Sequence, residues 1–270
     1  MIEDARGAMD YDETGSGPTI VMVPGSCSTG AAWRGVIAEW DGAYRVVTTS
    51  LPGYGRSAER RPEHDPAMSH LAEAIESVIV RTGAPVHLVG HSFGGSVAVA
   101  VALRGRVPLA SLTVVEAPVI ELLRQHDEEA HCAAVQEMVS SYIAAFEAGD
   151  RAAIEQMVDF YGGAGTFASW PHRVRAYAME TTPVNIRDWA TAFAFPLKGA
   201  LASMRLPTLV AWGGVSHPAI QRANSLLAEG IPGARSAVID GAAHFMIATH
   251  PRETGRLVRE HVTRVLSPRP

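Results

Sequence analysis

The sequence predicts an α/β fold, a mostly parallel sheet with helices on both faces and an inserted helical cap. Three observations carry this. Short apolar runs rich in β-branched residues recur at 19–23, 44–48, 86–90, 112–116, 208–212 and 236–240. Helical patterns lie between them at 31–40, 67–81, 93–104, 218–229 and 251–266. The alternation then stops between 118 and 196, where four helical patterns (119–148, 151–161, 171–181 and 185–193) follow one another with no strand. Continuous apolar runs of this length are what strands buried on both faces require, which means a parallel sheet between helical layers. The helices each run between turn-forming Gly, Pro or Asp residues. Tyr11 and its neighbours are expected to add an antiparallel edge strand. The expected division is therefore a core of residues 1–117 and 197–270 and a helical cap of 118–196.

Composition limits the partners. Charged residues make up 19% of the 270 positions and apolar residues 47%, the balance of a globular chain with a full core. A formal charge of −5 without basic runs leaves no footprint for nucleic acid or an anionic membrane. The most apolar stretch, 85–103, is interrupted by His87, His91, Ser92, Gly94 and Gly95, so no membrane span is expected. The N-terminus opens with acids and lacks a secretory apolar core, so a cytoplasmic location is the default expectation. Cys27 and Cys132 are far apart and unaccompanied, which argues for two free thiols. Ten of the 18 aromatic residues fall in the inserted segment, about twice the chance share. Too many to form its own small core, some of these rings should line an apolar pocket.

One segment carries chemistry in its required setting. Residues 86–96, Val-His-Leu-Val-Gly-His-Ser-Phe-Gly-Gly-Ser, are an apolar strand, a Gly-x-Ser-x-Gly turn and a small-residue helix, the nucleophile-elbow pattern. Gly90 and Gly94 stand where side chains would collide with the turn, and Ser92 is aimed out of the sheet beside the amides that open the next helix.

Here the chain resembles the α/β-hydrolase superfamily, of the serine esterase and lactonase type with a helical cap. The matching pieces are Val21-Met22-Val23-Pro24-Gly25-Ser26 followed by Trp33; Leu51-Pro52-Gly53-Tyr54-Gly55-Arg56-Ser57; the elbow at Ser92; Pro207 to Gly213; and Gly241-Ala242-Ala243-His244-Phe245. The resemblance implies a nucleophile, an acid and a histidine in that order, with an oxyanion hole of backbone amides. The matching positions are Ser92, His244 and the amides of Ser26 and Phe93. A histidine can take and return the serine proton near neutral pH. His91, Phe146, Trp170, Trp189 and Phe245 are the candidate substrate-pocket residues.

The acid departs from the commonest pattern. Relatives usually place an aspartate three residues after Trp212-Gly213, where this chain has Ser216. Serine cannot hold the compensating charge. Glu116, at the carboxyl end of the strand after the nucleophile helix, is the candidate in its place, as in haloalkane dehalogenases and zearalenone-type lactonases. Asp240 is nearer His244 in sequence but would have to fold back across a tight turn. His217 cannot supply a negative charge. Cys27 lacks an elbow, and no consequence attaches to Ser50, where relatives often carry aspartate.

A serine at the elbow separates the chain from the aspartate-using dehalogenase and epoxide hydrolase branches. The resemblance implies hydrolysis of a carboxylic ester or lactone of a moderately large apolar small molecule through an acyl-enzyme, with no metal or organic cofactor. Two alternatives stay open: a hydroxynitrile lyase, to whose loop residues 24–33 are similar, and a slow-turnover ligand receptor on the same fold.

Overall fold

The computed structural model describes residues 1–4, 6–83, 85–197 and 199–267. The expected core division includes 5, 84, 198 and 268–270, which lie outside the described residues. A short hairpin, β1 (Ile2–Asp4) and β2 (Gly7–Met9), forms its own two-stranded sheet. Then come β3 (Asp12–Thr14), β4 (Thr19–Val23), α1 (Arg34–Ala38), β5 (Arg45–Thr48), α2 (Met68–Thr82), β6 (Val86–His91), α3 (Phe93–Arg104) and β7 (Leu109–Val115). An insertion follows: α4 (Ile120–Gln125), α5 (Glu129–Glu147), α6 (Ile154–Gly162), α7 (Thr166–Ser169), α8 (His172–Glu180) and α9 (Thr182–Ala194). The chain returns to the sheet with β8 (Thr208–Gly213), α10 (Pro218–Gly230), β9 (Arg235–Ile239), α11 (Met246–Thr249) and α12 (Pro251–Leu266).

Seven strands make the main sheet in the order β3-β5-β4-β6-β7-β8-β9, all parallel except β3 on β5. Every residue of β4 and β6 is buried, which explains why β4 is apolar without alternation and β6 is apolar apart from His87 and His91. The strand period of two still divides the core. Val21, Val23 and Leu88 face α2, α3 and α10, whereas Ile20, Met22 and Val89 join Trp33, α1 and α12 on the other face. The expected edge strand near Tyr11 is β3, whose three residues are exposed and polar.

Three local differences have physical causes. The segment 31–40 is a 3-10 turn (Gly30–Trp33) followed by the short α1. The expected helix 119–148 breaks into α4 and α5, because Asp127 takes a left-handed φ of 56° and the Glu128 amide turns back to the Leu123 carbonyl. The β1–β2 hairpin went unforeseen, since strands of three residues are too short for a periodicity to register.

The site is positioned by strand register. His91 is level with Val115 on β7, and Val115 with Ala211 on β8. The residues that leave β6 and β7, Ser92 and Glu116, therefore emerge side by side at the carboxyl edge, next to the exits of β8 and β9. That edge is where open α/β sheets place ligands.

Candidate active site

The turn after β6 is built by close approach. A Cβ on Gly90 would come within 2.7 Å of the Gly95 Cα, and one on Gly94 would strike the Pro24 carbonyl oxygen. With both positions bare, Ser92 takes φ 54° and ψ −131°, a strained conformation for a side-chain-bearing residue, and opens α3. Its amide donates to the Val115 carbonyl at 2.9 Å, which pins the turn to β7. Phe93 is the first residue of α3, so its amide has no carbonyl one turn back to serve.

Glu116 is fully buried and also has a positive φ, 50°, held by its amide donating to the Ala211 carbonyl at 2.8 Å. The loops leaving β8 and β9 are cross-bonded, Gly214 N–H to the Ile239 carbonyl and Val215 N–H to the Ala242 carbonyl, each at 3.0 Å. This brings the buried His244 ring between Ser92 and Glu116. His244 Nδ1–H donates to Glu116 Oε1 at 2.8 Å, and Ser92 Oγ–H donates to His244 Nε2 at 2.9 Å. The carboxylate fixes the tautomer that leaves a lone pair facing the serine. Glu116 Oε2 accepts from the Ser216 hydroxyl at 2.7 Å and from the Gly213 amide at 2.8 Å. Asp240 is exposed and outside this chain of bonds.

His91 Nε2–H donates to the His244 carbonyl at 2.8 Å. Burial pushes its pKa down to about 3, so it is neutral and holds backbone. His217 accepts from the Ala219 amide at the start of α10 and stacks on Phe160. Burial pushes the Cys27 thiol up to about 12, which keeps it protonated and a poor nucleophile. Ser50 donates to Asp10 Oδ2 at 2.8 Å and accepts from the Gly30 amide at 3.3 Å.

Above Ser92 lies a cavity of about 310 Å³. His91, Trp170, Trp189 and Phe245 line it, joined by Tyr161 and Met157 from α6. Phe146 is a correction. It continues the buried stripe of α5 (Val135, Val139, Tyr142) into the helix's last turn, where it faces a separate surface groove with Met179 and Pro183. Ser26 borders the cavity, and a Cβ on its neighbour Gly25 would lie 2.7 Å from the Ser92 Cβ, so this loop passes against the nucleophile. Two polar contacts beside this chain of bonds are not marked in the sequence. The absence of an aspartate at 216 was visible, but not that Ser216 supports Glu116. Asp188 on α9 accepts from the Ser26 hydroxyl at 2.5 Å, and nothing local marks it. Among the described residues no cluster of three or more His, Cys, Asp or Glu could hold a metal ion, and no helix is long and apolar enough to cross a membrane.

A serine on a strand-to-helix elbow, bonded to a histidine and through it to a buried carboxylate at the carboxyl edge of a parallel sheet, defines an α/β hydrolase. Residues 20–257 match the model of the Alpha/beta hydrolase family, and the chain belongs to it. It is 27% identical over 261 residues to a pimeloyl-[acyl-carrier protein] methyl ester esterase of Aeromonas salmonicida, covering 94% of this chain and 99% of the relative. A thermophilic esterase from Thermogutta terrifontis superposes with a TM-score of 0.75 at 21% identity, over 96% of this chain and 94% of that one. The enol-lactonase from Burkholderia xenovorans gives 0.74 at 19% identity, over 94% and 96%.

Proposed function

We propose that the chain is a carboxylic ester hydrolase that cleaves a neutral, moderately large apolar ester or lactone through an acyl-enzyme on Ser92. The observation that carries this is the unbroken chain Ser92 Oγ, His244, Glu116, with bonds of 2.9 and 2.8 Å at the floor of an aromatic-walled cavity. The curated Aeromonas relative, an ester hydrolase by name, supports the reaction class.

In this reading Ser92 Oγ attacks the carbonyl carbon while its proton passes to His244 Nε2. Glu116 stabilises the imidazolium formed, and the amides of Ser26 and Phe93 hold the oxyanion. The tetrahedral intermediate collapses, and the departing alkoxide takes the proton from Nε2. Water then gives its proton to His244 as its oxygen attacks the acyl carbon, and the proton returns to Ser92 as the acid leaves. Residues 118–196 act as a cap over the core of 1–117 and 197–270, supplying the aromatic wall.

The lining also argues for a neutral substrate. Among the described residues it contains no Lys or Arg, and its one carboxylate is Asp188. An anionic acyl group would lose hydration with no cation to replace it. The product acid, ionised at neutral pH, is disfavoured in the same cavity and leaves.

A p-nitrophenyl ester tests the mechanism. Wild-type enzyme should show a burst of one p-nitrophenol per Ser92, and Ser92→Ala should lose at least about 10³-fold in turnover while staying folded. Undiminished turnover by Ser92→Ala would remove this reading.

A further inference from the structure

The catalytic steps give no part to a buried carboxylate, Asp188, that borders the cavity. Three donors converge on it. Oδ2 accepts from the Ser26 hydroxyl at 2.5 Å and from the Tyr54 hydroxyl at 2.6 Å, and Oδ1 accepts from Arg61 Nη1 at 2.7 Å. Asp188 is 3% exposed and the Arg61 side chain 1%. Arg61 is gripped in turn by Glu59, at 3.0 Å through Nε and 2.8 Å through Nη2. Arg187, the neighbour of Asp188 on α9, donates to the Arg61 and Pro62 carbonyls at 2.8 and 2.9 Å. The whole cluster is locked to α9 from both sides.

Burying such an ion pair is expensive, and an apolar pair of the same volume is often at least as stable. The geometry gives a reason for a polar one. The loop carrying Ser26 needs outside support, because the next residue, Cys27, has a left-handed φ of 54° that a side-chain-bearing residue adopts only when its surroundings hold it. The same loop must sit accurately, since its backbone touches Ser92 and an oxyanion donor misplaced by an ångström costs on the order of 10²-fold in rate. Its firmest side-chain tie runs from the Ser26 hydroxyl across to Asp188.

Resting on the hydrolase reading, we infer that Asp188 is a positioning residue for the oxyanion hole: fixed by Arg61 and Tyr54, its carboxylate holds the Ser26 hydroxyl and so aims the Ser26 amide over Ser92. The insertion then does more than roof the cavity. It completes the catalytic geometry of the core, and the amide serves the oxyanion only while α9 is docked.

The test is a double-variant cycle on Ser26→Ala, Asp188→Ala and both together, read with a p-nitrophenyl ester. Ser26→Ala keeps the backbone amide and the Asp188–Arg61 pair, so it isolates the tie without emptying the buried cluster. It should lower kcat by on the order of 10²-fold, with KM within about threefold and an unchanged melting temperature. The double variant should be no slower than the slower single one, because both remove the same tie. Ser26→Ala turning over like wild type, or losses that multiply in the double variant, would overturn the inference. So would losses confined to melting temperature, which a purely structural pair would give. Labelling of wild-type Ser92 by a fluorophosphonate is read in parallel. A labelled, active wild type with an unaffected Ser26→Ala sinks only the positioning role, whereas an unlabelled, inert wild type removes the hydrolase reading and this inference with it.

Discussion

In the proposed mechanism the carboxylate, Glu116, stands just past the end of β7, and the hydroxyl that supports it, Ser216, lies in the loop that leaves β8. β7 and β8 are neighbours in register, which predicts that a carboxyl group presented at either exit reaches the same imidazole. Glu116 spends one oxygen on His244 and anchors the other on Ser216 and the Gly213 amide, so the carboxylate cannot rotate away. Glu116→Gln should therefore keep the fold and lower kcat by about 10²- to 10⁴-fold, through loss of the imidazolium's counter-charge. Ser216→Asp should change sign with background. In wild type it sets a second carboxylate against the first and should depress activity, because two like charges in contact cannot both ionise. In Glu116→Gln it returns a carboxylate to the site and should restore part of the rate. Steady-state kinetics on the four proteins checks this, and a loss in both backgrounds would mean that position 216 cannot reach the imidazole. Ser92 could be singled out in the sequence because the elbow's turn demands glycines around it, and His244 because its position matches the family the chain resembles. The partnership of Ser216 with Glu116, and of Ser26 with Asp188 162 residues away, could not be, since both exist only after the sheet edge and α9 have assembled.

At the scale of elements, the strands were readable as apolar runs and the insertion as the place where those runs stop. Its internal layout was less so, because helix breaks such as that at Asp127 depend on what each half packs against. Which rings face the cavity depended on rotation about each helix axis, and there Phe146 and Trp189 parted company. Trp189 is 4% exposed, donates through Nε1 to Met157 Sδ at 3.4 Å and walls the cavity, while Phe146 lies over another groove. The wall has a kinetic consequence. Each methylene that enters it should contribute roughly 0.8 kcal/mol to binding, so kcat/KM should climb with acyl or alcohol length until the cavity fills. Acetyl esters should be poor substrates. Trp189→Ala should move the optimum to longer chains by enlarging the space, whereas Phe146→Ala should leave the length profile unchanged. A p-nitrophenyl ester series from acetate upward measures it, and a rate highest for acetate would contradict the apolar pocket.

Over the whole molecule, the buried titratable groups couple stability to pH. His87 lies within the fully buried β6, its Nδ1 bonded to the Ser111 hydroxyl at 2.8 Å, and burial pushes its pKa down to about 4. His91 is pushed down to about 3 by the same cause. In the unfolded chain both would titrate near 6.5. Between these values the unfolded state binds more protons, so stability falls as pH falls, by about 2 kcal/mol per histidine on going from pH 8 to pH 5. Asp188 runs the other way. Burial pushes its carboxyl up to about 6 against the pull of Arg61, so the folded state binds that proton more tightly, and acidification returns about 1 kcal/mol over the same range. These three groups together should therefore cost roughly 2 to 3 kcal/mol between pH 8 and pH 5. His87→Gln isolates one contribution, because glutamine fills similar space and does not titrate. Whatever the substitution costs at pH 8, the variant should lose about 2 kcal/mol less than wild type on acidification, and the two urea-unfolding midpoints should converge or cross. Parallel losses in the two proteins would show that His87 does not couple folding to protons.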